Sequence, residues 1–447
     1  MPTIRAGIAE VDFTPEPGLP LMGNFRDDYA ARGVHDPLLA KAIVFADRHG
    51  TKAALLALDV CMLDRDNVAL LREEIGARCD VPPENTLIHA IHTHSAPAVT
   101  KKLGMAAEVA PHGARIQDLL RQAARAVVEA NRSLADADLG IGHAAEDRVS
   151  FNRRLRRVDD TTQMNWEALQ PGFDPAEIQG AWSGIDPEMV CLVVQRAHRP
   201  VAAVINFGLH PAILAGDNWL YSADYPGYLS EALGRGLGGG FTSLFFNGCC
   251  GDVNHVDYRE TTQGRGYQMA QRVGYMLAAT ALQAMRERTP LDVDCVQVRR
   301  ATVALDRLRI TAKQEQWCRN VLAVAANHPP QGQVDGLPDA YFARLRLEMA
   351  RQQNQPDQVE IMTIRLGDVA IVGLPGETFC QLGVDIKQRS PAQHTLVAGL
   401  CNDAIGYLPT RDAFQHGGYE TTSGSTFYDP GSAERLVDAA ITLLARP

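Results

Sequence analysis

Side chains that can do chemistry recur just after apolar segments of this 447-residue sequence. The segment NTLIHAI leads to His92 and His94, VAAVINFG leads to His210, and VAIVG leads through Leu-Pro-Gly to Glu377. Because side chains alternate along an extended chain, His92 and His94 point to the same side; they either bind a metal together or divide into one ligand and one proton carrier. Imidazoles and a carboxylate are ligands that zinc prefers, so these positions predict a zinc site with room for water.

Two further segments carry candidate functional residues. FFNGCCGDVN contains a glycine-bracketed turn in which Asp252 is either a turn former or a group close to the site. The adjacent Cys249 and Cys250 have no basic neighbours in sequence, which favours packing over redox chemistry. Arg153 opens the basic cluster RRLRR, which is either a solvated face or the source of one arginine that holds an anionic or carbonyl group.

The elements that must position these residues alternate along the chain. Apolar runs bounded by turn residues predict strands at 40–47, 52–60, 85–91, 189–196, 201–208, 242–247, 359–373 (as a hairpin) and 395–402. Helical patterns lie at 65–78, 115–131, 226–237, 264–288, 313–326, 338–353, 377–389 and 432–445. This order predicts an α/β fold with mixed, partly parallel sheets flanked by helices. Ligands of such sheets bind at the carboxyl ends of strands, so the functional residues should meet there.

Composition and charge narrow the class of protein. With 46% hydrophobic and 21% charged residues, the chain reads as a soluble folded protein. A formal net charge of −10 disfavours nucleic acid and anionic membranes as partners. We see no signal-peptide or membrane-span pattern and expect a cytoplasmic protein. The nine cysteines are scattered without a CxxC pair, which argues against a disulfide framework and a thiolate zinc site.

We expect one catalytic domain over residues 1–447. Two stretches interrupt the alternation, a long polar loop at 152–187 and a helical, Gln-rich insertion at 306–358. Segments of this length either cover a functional site as lids or decorate the surface.

The ordered motifs of the sequence resemble the neutral, non-lysosomal ceramidase family of zinc-dependent amidases. From about residue 5 to residue 430 the chain presents, in the order of that family, AGIAEVDFTP, HTHSAP, VSFNR, NFGLHP, NGCCGDVN, LPGE, GLCNDAIGY and GGYE. The resemblance implies an amidase that binds one zinc ion per chain through His92, His210, Glu377 and Tyr407. It further implies that His94, Arg153 and Tyr419 face the scissile amide.

The sequence departs from the family at one turn. Family members continue the Gly-Asp-Val turn with Ser-Pro-Asn, whose serine has been proposed as a nucleophile, whereas Asn254 and His255 stand here. A carboxamide cannot replace that serine, so zinc-activated water must attack. We expect Asp252, Asn254 and His255 to contact the substrate. We also expect no immunoglobulin-like C-terminal domain, which makes long-chain ceramide a doubtful substrate.

The sequence therefore predicts a zinc-dependent hydrolase that cleaves a carboxamide bond of a small or medium acylated substrate. The alternatives are an ester-type acyl hydrolase such as a sugar deacetylase or lactonase, a metallophosphoesterase, and a metal-binding homologue without turnover. A homo-oligomer is compatible with the sequence but not specified by it.

Overall fold

The computed structural model describes residues 4–26, 28–260, 262–325, 333–334 and 337–445. Within these ranges a nine-stranded sheet and a four-stranded sheet form the framework. The large sheet contains β1 (Ile4–Asp12), β2 (Leu39–Asp47), β3 (Lys52–Leu58), β4 (Thr86–Ala90), β5 (Ala135–Ala145), β6 (Glu188–Arg196), β7 (Arg199–Phe207), β8 (Thr242–Asn247) and β9 (Thr289–Leu291). The small sheet contains β10 (Val296–Leu305), β11 (Asp357–Leu366), β12 (Val369–Gly373) and β13 (His394–Ala398).

Both sheets are mixed, as the sequence predicts. The order of the large sheet is β8-β7-β6-β5-β1-β2-β3-β4, with β9 paired to β5, and that of the small sheet is β10-β11-β12-β13. The parallel pairs β7–β8, β3–β4 and β12–β13 lie at the sheet edges, while the remaining pairs are antiparallel. The candidate site residues follow strands of these parallel pairs: the edge strands β4, β8 and β13, and their inner neighbours β7 and β12.

Helices cover the sheets. The longer helices are α1 (Arg65–Arg78), α2 (Gly113–Arg132), α3 (Tyr225–Leu237), α4 (Tyr267–Arg286), α5 (Ala312–Ala325), α6 (Asp339–Gln352), α7 (Cys380–Arg389) and α8 (Ser432–Ala445). Single-turn helices and 3₁₀ turns lie at Pro83–Asn85, Ala106–Val109, Ala110–His112, Asn165–Leu169, Pro175–Glu177, Ala413–His416 and Tyr419–Thr421. Among the described residues, no helix combines the length and apolarity that a bilayer crossing requires.

The large sheet is buried on both faces. In β2, Ile43 and Phe45 belong to a core shared with α3 and α4, whereas the alternate residues Ala42 and Val44 belong to a core shared with α1 and α2. Strands buried on both sides read as continuous apolar runs, which is why β2, β3, β6 and β7 are recognisable in the sequence.

Short strand pairs outside the two sheets tie loops together. They are Gly33–Val34 with Leu220–Tyr221, Phe151–Asn152 with Val253–Asn254, Glu377–Thr378 with Tyr407–Leu408, Gln333–Val334 with Leu337–Pro338, and a three-stranded set Arg154–Arg157, Thr162–Met164 and Ile178–Ala181. The pair Glu377–Thr378 with Tyr407–Leu408 corrects one prediction: the sequence predicts a helix over 377–389, but the observed helix begins at Cys380. Glu377 is extended instead because its amide donates to the carbonyl of Gly406. The insertion at 306–358 contains α5 and α6, and its residues 326–332 and 335–336 lie outside the described residues.

Replacing Gly142 of β5 with alanine should destabilise the protein by roughly 1–3 kcal/mol, because the new Cβ would overlap the carbonyl group of Ala284 in α4. Gly234 in α3 is the matched control, since a Cβ there has open space and should stabilise the helix by about 0.5–1 kcal/mol. Urea unfolding of the two variants measures both effects. Equal stability of G142A and G234A would contradict this close packing of α4 on the sheet.

Candidate active site

Three side chains from three strand ends converge on one buried point. Nε2 of His92 lies 2.9 Å from Nε2 of His210, and Oε2 of Glu377 lies 3.2 Å from the first and 3.5 Å from the second. All three residues are almost completely buried. Their ligand atoms lie close enough together to bind one metal ion. The convergence predicted from the strand ends is thus present in the structure.

The hydrogen bonds behind the two imidazoles decide what this point can hold. Nδ1 of His92 is 2.9 Å from the carbonyl oxygen of Cys61, and Nδ1 of His210 is 3.1 Å from that of Cys250. A carbonyl oxygen only accepts, so each Nδ1 carries the proton and each Nε2 of a neutral ring presents a lone pair. These lone pairs face Oε2 of Glu377, which has no hydrogen-bond donor among the described residues. The arrangement requires a positive charge, and a metal ion satisfies all three atoms together.

The pKa values agree with this requirement. Burial, together with the charges of His92 and Arg153, lowers the pKa of His210 far below its usual value, so this ring is neutral. Burial opposes a charge on His92 as well, but Cys61 and Glu377 raise the pKa of His92 to about 10. Without a metal ion this ring would therefore carry the positive charge that the cluster needs, and a bound ion would replace its Nε2 proton. The three ligand atoms of His92, His210 and Glu377 therefore favour one cation, and two imidazoles with a carboxylate are a ligand set that zinc prefers.

The backbone holds the ligands in unusual positions. His92 adopts φ +76°, a left-handed conformation that is costly for a residue with a Cβ and that is typical of functional sites. Its amide donates to the carbonyl of Val60, which fixes the turn after β4. Glu377 is paired in register with Tyr407 in the short parallel pair after β12, so the Cα atoms of these two residues are neighbours across the pair.

Arg153 is oriented by a buried carboxylate. Its Nε donates to Oε1 of Glu420 at 2.7 Å, and Nη1 of Arg154 donates to Oε2 of the same residue at 2.7 Å. Both arginines are buried, whereas Arg156 and Arg157 pair with Asp160 and Glu177 nearer the surface. The basic cluster is therefore split. Nη2 of Arg153 is buried and has no acceptor among the described residues.

The loop that follows β1 supports His94. Its Nε2 lies 3.3 Å from Nε2 of His92, and its Nδ1 lies 3.4 Å from Oδ1 of Asn24. Nη2 of Arg26 donates to the carbonyl of His94 at 3.1 Å. A Cβ at Gly23, where φ is +102°, would overlap the His94 ring, so only glycine lets the loop pass this close.

The two tyrosines predicted from the resemblance lie side by side. The ring centroids of Tyr407 and Tyr419 are 5.5 Å apart in an edge-to-face arrangement, and Arg153 lies 5.3 Å above the ring of Tyr407. Burial and the charge of Glu377 raise the pKa of both hydroxyls, while Arg153 opposes that change. Whether Tyr407 binds the metal stays a prediction.

The three predicted substrate contacts differ in their surroundings. Both carboxylate oxygens of Asp252 are engaged, by the amide of Cys380 at 2.7 Å and by Nδ2 of Asn152 at 2.8 Å, so its side chain connects the turn to two distant segments, and its contact with the substrate stays a prediction. The amides of Asn254 and Asn165 bind each other reciprocally at 2.7 and 2.8 Å. His255 is buried, and neither of its ring nitrogens has a partner among the described residues.

The buried cysteines near the site serve packing. Burial raises the pKa of the Cys249 and Cys250 thiols, so neither is a reactive thiolate at neutral pH. The backbone carbonyl of Cys250 is the part that acts on the site, through His210. Cys61, which the sequence did not single out, lies with its sulfur 3.6 Å from Nδ1 of His92.

Two cavities flank the convergence point. One of about 310 Å³ is lined by His92, His94, Glu377 and residues of α6 such as Tyr341, and one of about 610 Å³ is lined by His210, Arg153 and residues of the 152–187 segment such as Trp166. His94, Tyr407 and Tyr419 line both. Both interrupting segments therefore contribute walls, although their closure as lids stays a prediction.

Sequence reasoning missed several supporting residues. Glu420 follows Tyr419 directly, and Asn24 and Arg26 lie in a loop without an apolar pattern; these three were not selected. A carboxylate next to a candidate tyrosine and a Gly-Asn pair are common in surface turns, so their types alone gave no usable signal. His89 was also missed because it lies inside the apolar run of β4.

The fold is α/β, and the convergent imidazole–carboxylate cluster is a candidate hydrolytic site whose ligand atoms could hold a metal ion. Residues 5–254 match the family model described as neutral/alkaline non-lysosomal ceramidase, N-terminal, and the chain belongs to that family. It is accordingly an amidohydrolase, and the reaction of the family is hydrolysis of an N-acyl amide bond. The resemblance seen in the sequence is thus confirmed.

Relatives extend the match beyond the family model. The chain is 22% identical to neutral ceramidase B of Dictyostelium discoideum over 92% of its own length and 67% of that protein. It is 22% identical to the neutral ceramidase of Mycobacterium tuberculosis over 91% of its length and 71% of that protein. The crystal structure of neutral ceramidase from Pseudomonas aeruginosa superposes with a TM-score of 0.75 at 19% identity, covering 99% of this chain and 74% of that one.

We expect the purified protein to contain about one zinc ion per chain, because His92, His210 and Glu377 present their unpaired atoms to one point. His210→Ala should lose the metal, and added zinc should no longer raise its unfolding temperature. His143→Ala is the control, since His143 pairs with Glu188 and His394 elsewhere. Elemental analysis and thermal unfolding measure both properties, and wild-type zinc content in H210A would refute the site.

Glu420→Gln should destabilise the protein by about 3–5 kcal/mol, because it leaves the buried guanidinium groups of Arg153 and Arg154 without their shared carboxylate. Glu315→Gln is the control: Glu315 pairs with Arg319 in a single exposed turn of α5, and its loss should cost less than about 1 kcal/mol. Denaturant unfolding distinguishes the two. Similar losses in both variants would show that the buried pair has no special weight.

Proposed function

We propose that this chain is a zinc-dependent amidohydrolase that cleaves the N-acyl bond of a small or medium acylated substrate. The observation that carries the zinc assignment is the mutual approach of two Nε2 lone pairs and a carboxylate oxygen that lacks a donor. His92, His210 and Glu377 would hold the ion, and Tyr407 would complete its ligands. When bound, zinc supplies Lewis acidity that polarises a carbonyl group and lowers the pKa of water toward 7.

Arg153 would stabilise the charge that develops on the substrate oxygen. Glu420 fixes its Nε, which leaves the buried Nη2 as a donor whose direction is set before the substrate arrives. A preorganised donor of this kind typically contributes about 2.7–4 kcal/mol to lowering the barrier. Tyr419 lies beside Tyr407 and lines both cavities, which supports a role in which its hydroxyl would donate a second hydrogen bond.

His94 would carry the proton. The amide oxygen of Asn24 faces Nδ1, which favours the tautomer in which Nε2 is unprotonated and faces the site. Nε2 can therefore take a proton from the attacking water and pass it to the leaving nitrogen. His94 lines both cavities, which supports this role for a substrate that occupies either of them.

The size of the cavities supports a compact substrate. Volumes of about 310 and 610 Å³ lie in the range of pockets that enclose drug-sized ligands. The net charge of −10 also disfavours contact with anionic membranes. We therefore propose that short polar N-acyl compounds are better substrates than long-chain ceramide, and that the protein acts in the cytoplasm.

A substrate panel tests this proposal. The kcat/KM of zinc-replete protein should be highest for N-acyl amides of short chain length in a series from two to sixteen carbons. A long apolar channel would instead give a steep rise, because each buried methylene is worth roughly 0.8 kcal/mol. Matched esters and an aryl phosphate complete the panel and test the ester-hydrolase and phosphoesterase alternatives.

Two controls accompany the panel. A strong chelator should abolish turnover, and readdition of zinc should restore it. Serine-directed acylating reagents should have no effect, since Asn254 occupies the position after the Gly-Asp-Val turn. Long-chain ceramide as the best substrate would contradict the compact-substrate proposal, and chelator-resistant turnover would contradict the zinc mechanism.

A further inference from the structure

His255 is a buried histidine with unmet hydrogen-bonding capacity. It follows the short strand Val253–Asn254, lines the 610 Å³ cavity and is only 6% exposed. Neither Nδ1 nor Nε2 has a hydrogen-bond partner among the described residues. Buried polar groups are normally paired, so an unpaired ring beside a cavity calls for an explanation.

A comparison with His89 shows what a structural histidine looks like in the same protein. Nδ1 of His89 is 2.9 Å from the carbonyl oxygen of Gly399, and its Nε2 accepts from the amide of Asn247 at 2.9 Å. Both nitrogens are thereby used to join three strand ends. His255 makes no such connection, so cross-linking of the fold does not account for its imidazole.

The position of His255 is nevertheless fixed by its backbone and neighbours. Its carbonyl oxygen accepts from Nε2 of Gln263 at 2.5 Å. The preceding Asn254 is held by its reciprocal amide pair with Asn165, and Asn165 also donates to the carbonyl of Val256 at 2.6 Å. The chain thus holds the residue on both sides while leaving the ring free for another partner.

The chemistry of the cavity selects that partner. Burial lowers the pKa of His255 to about 4, so at neutral pH the ring is uncharged and offers one donor and one acceptor. The described lining residues of this cavity include Arg153 and Arg265 but no carboxylate, which disfavours a cationic ligand group. Arg265 is itself paired with Asp217. An uncharged group that both donates and accepts matches the ring better than an anion does.

We propose that His255 is a specificity-determining residue that hydrogen-bonds a hydroxyl group on the part of the substrate lying in the 610 Å³ cavity. The inference rests on the proposed acyl hydrolysis and narrows its substrates to hydroxylated N-acyl compounds. The reacting carbonyl lies beside Arg153 and His210, which line the same cavity, so one substrate can reach both places.

Matched substrate pairs test the assignment. One pair is an N-acyl-2-hydroxyethylamine and its N-propyl analogue; the other is a 3-hydroxyacyl amide and its deoxy analogue. Wild-type protein should prefer the hydroxylated member of one pair by about 10-fold or more, since a site built to bind a hydroxyl rejects the analogue that lacks it. His255→Phe should lower kcat/KM for that member about 10-fold or more, and change the deoxy analogue less than about 3-fold.

Conservative variants separate hydrogen bonding from shape. His255→Asn retains a donor and an acceptor and should keep part of the preference for the hydroxylated substrate. His255→Leu should behave as His255→Phe does. The leucine variant is used in the test if the phenylalanine variant fails to fold. Zinc content should be unchanged in all of them. Equal treatment of both members of each pair by wild type, or equal loss in H255F, would overturn the inference, as would a His255-dependent preference for a carboxylated analogue.

Failure of the inference is distinguishable from failure of the proposed function. If wild-type protein turns over simple N-acyl amides without a hydroxyl preference, only the assignment of His255 is wrong. If no compound is hydrolysed, the proposed function fails, and the same pairs are compared by their Kd values in calorimetry. A Kd ratio that favours the hydroxylated compound and disappears in H255F then still supports the binding role, and its absence overturns it.

Discussion

The structure depends on holding two imidazole lone pairs and one carboxylate oxygen against each other in a dry interior. Without a positive charge at that point, the approach of His92, His210 and Glu377 is repulsive, and burial strengthens the repulsion. The carbonyls of Cys61 and Cys250 hold the proton of each neutral ring on Nδ1, so the lone pair of each Nε2 must point toward the other two ligand atoms. The site is thus preorganised for a cation by backbone groups rather than by charged neighbours.

Preorganisation of this kind requires a rigid frame, which the edges of the two sheets provide. His89 in β4 binds the segment after β13 through Gly399 and the end of β8 through Asn247, and its ring stacks on Phe246. Burial lowers the pKa of His89 to about 3, so it stays neutral and keeps both bonds at physiological pH. His89 therefore joins three strands, β4, β8 and β13, after which candidate site residues follow.

Much of this could be predicted from the sequence, for an identifiable reason. The strands that are buried on both faces are continuous apolar runs, and the residues that follow them form the site. The apolar runs therefore indicated both the strands and the site residues. β1, β5 and β10 were missed because part of each strand is exposed and carries polar residues, as at Arg299 and Arg300. Glu377 was placed in a helix because Pro-Gly suggests a helix start. The pairing with Tyr407, which makes it extended, is a tertiary effect.

The residues that escaped prediction are those whose function depends on another side chain. Glu420 matters because it pairs with Arg153 and Arg154, which are distant from it in sequence. A buried carboxylate between two guanidinium groups adds little stability compared with an apolar core. Its value lies in direction: with Nε fixed, Nη2 of Arg153 is a buried donor without an acceptor among the described residues, on a side chain that lines the 610 Å³ cavity. The ion pair therefore converts a flexible cationic side chain into an oriented hydrogen-bond donor, a property that no local sequence pattern encodes.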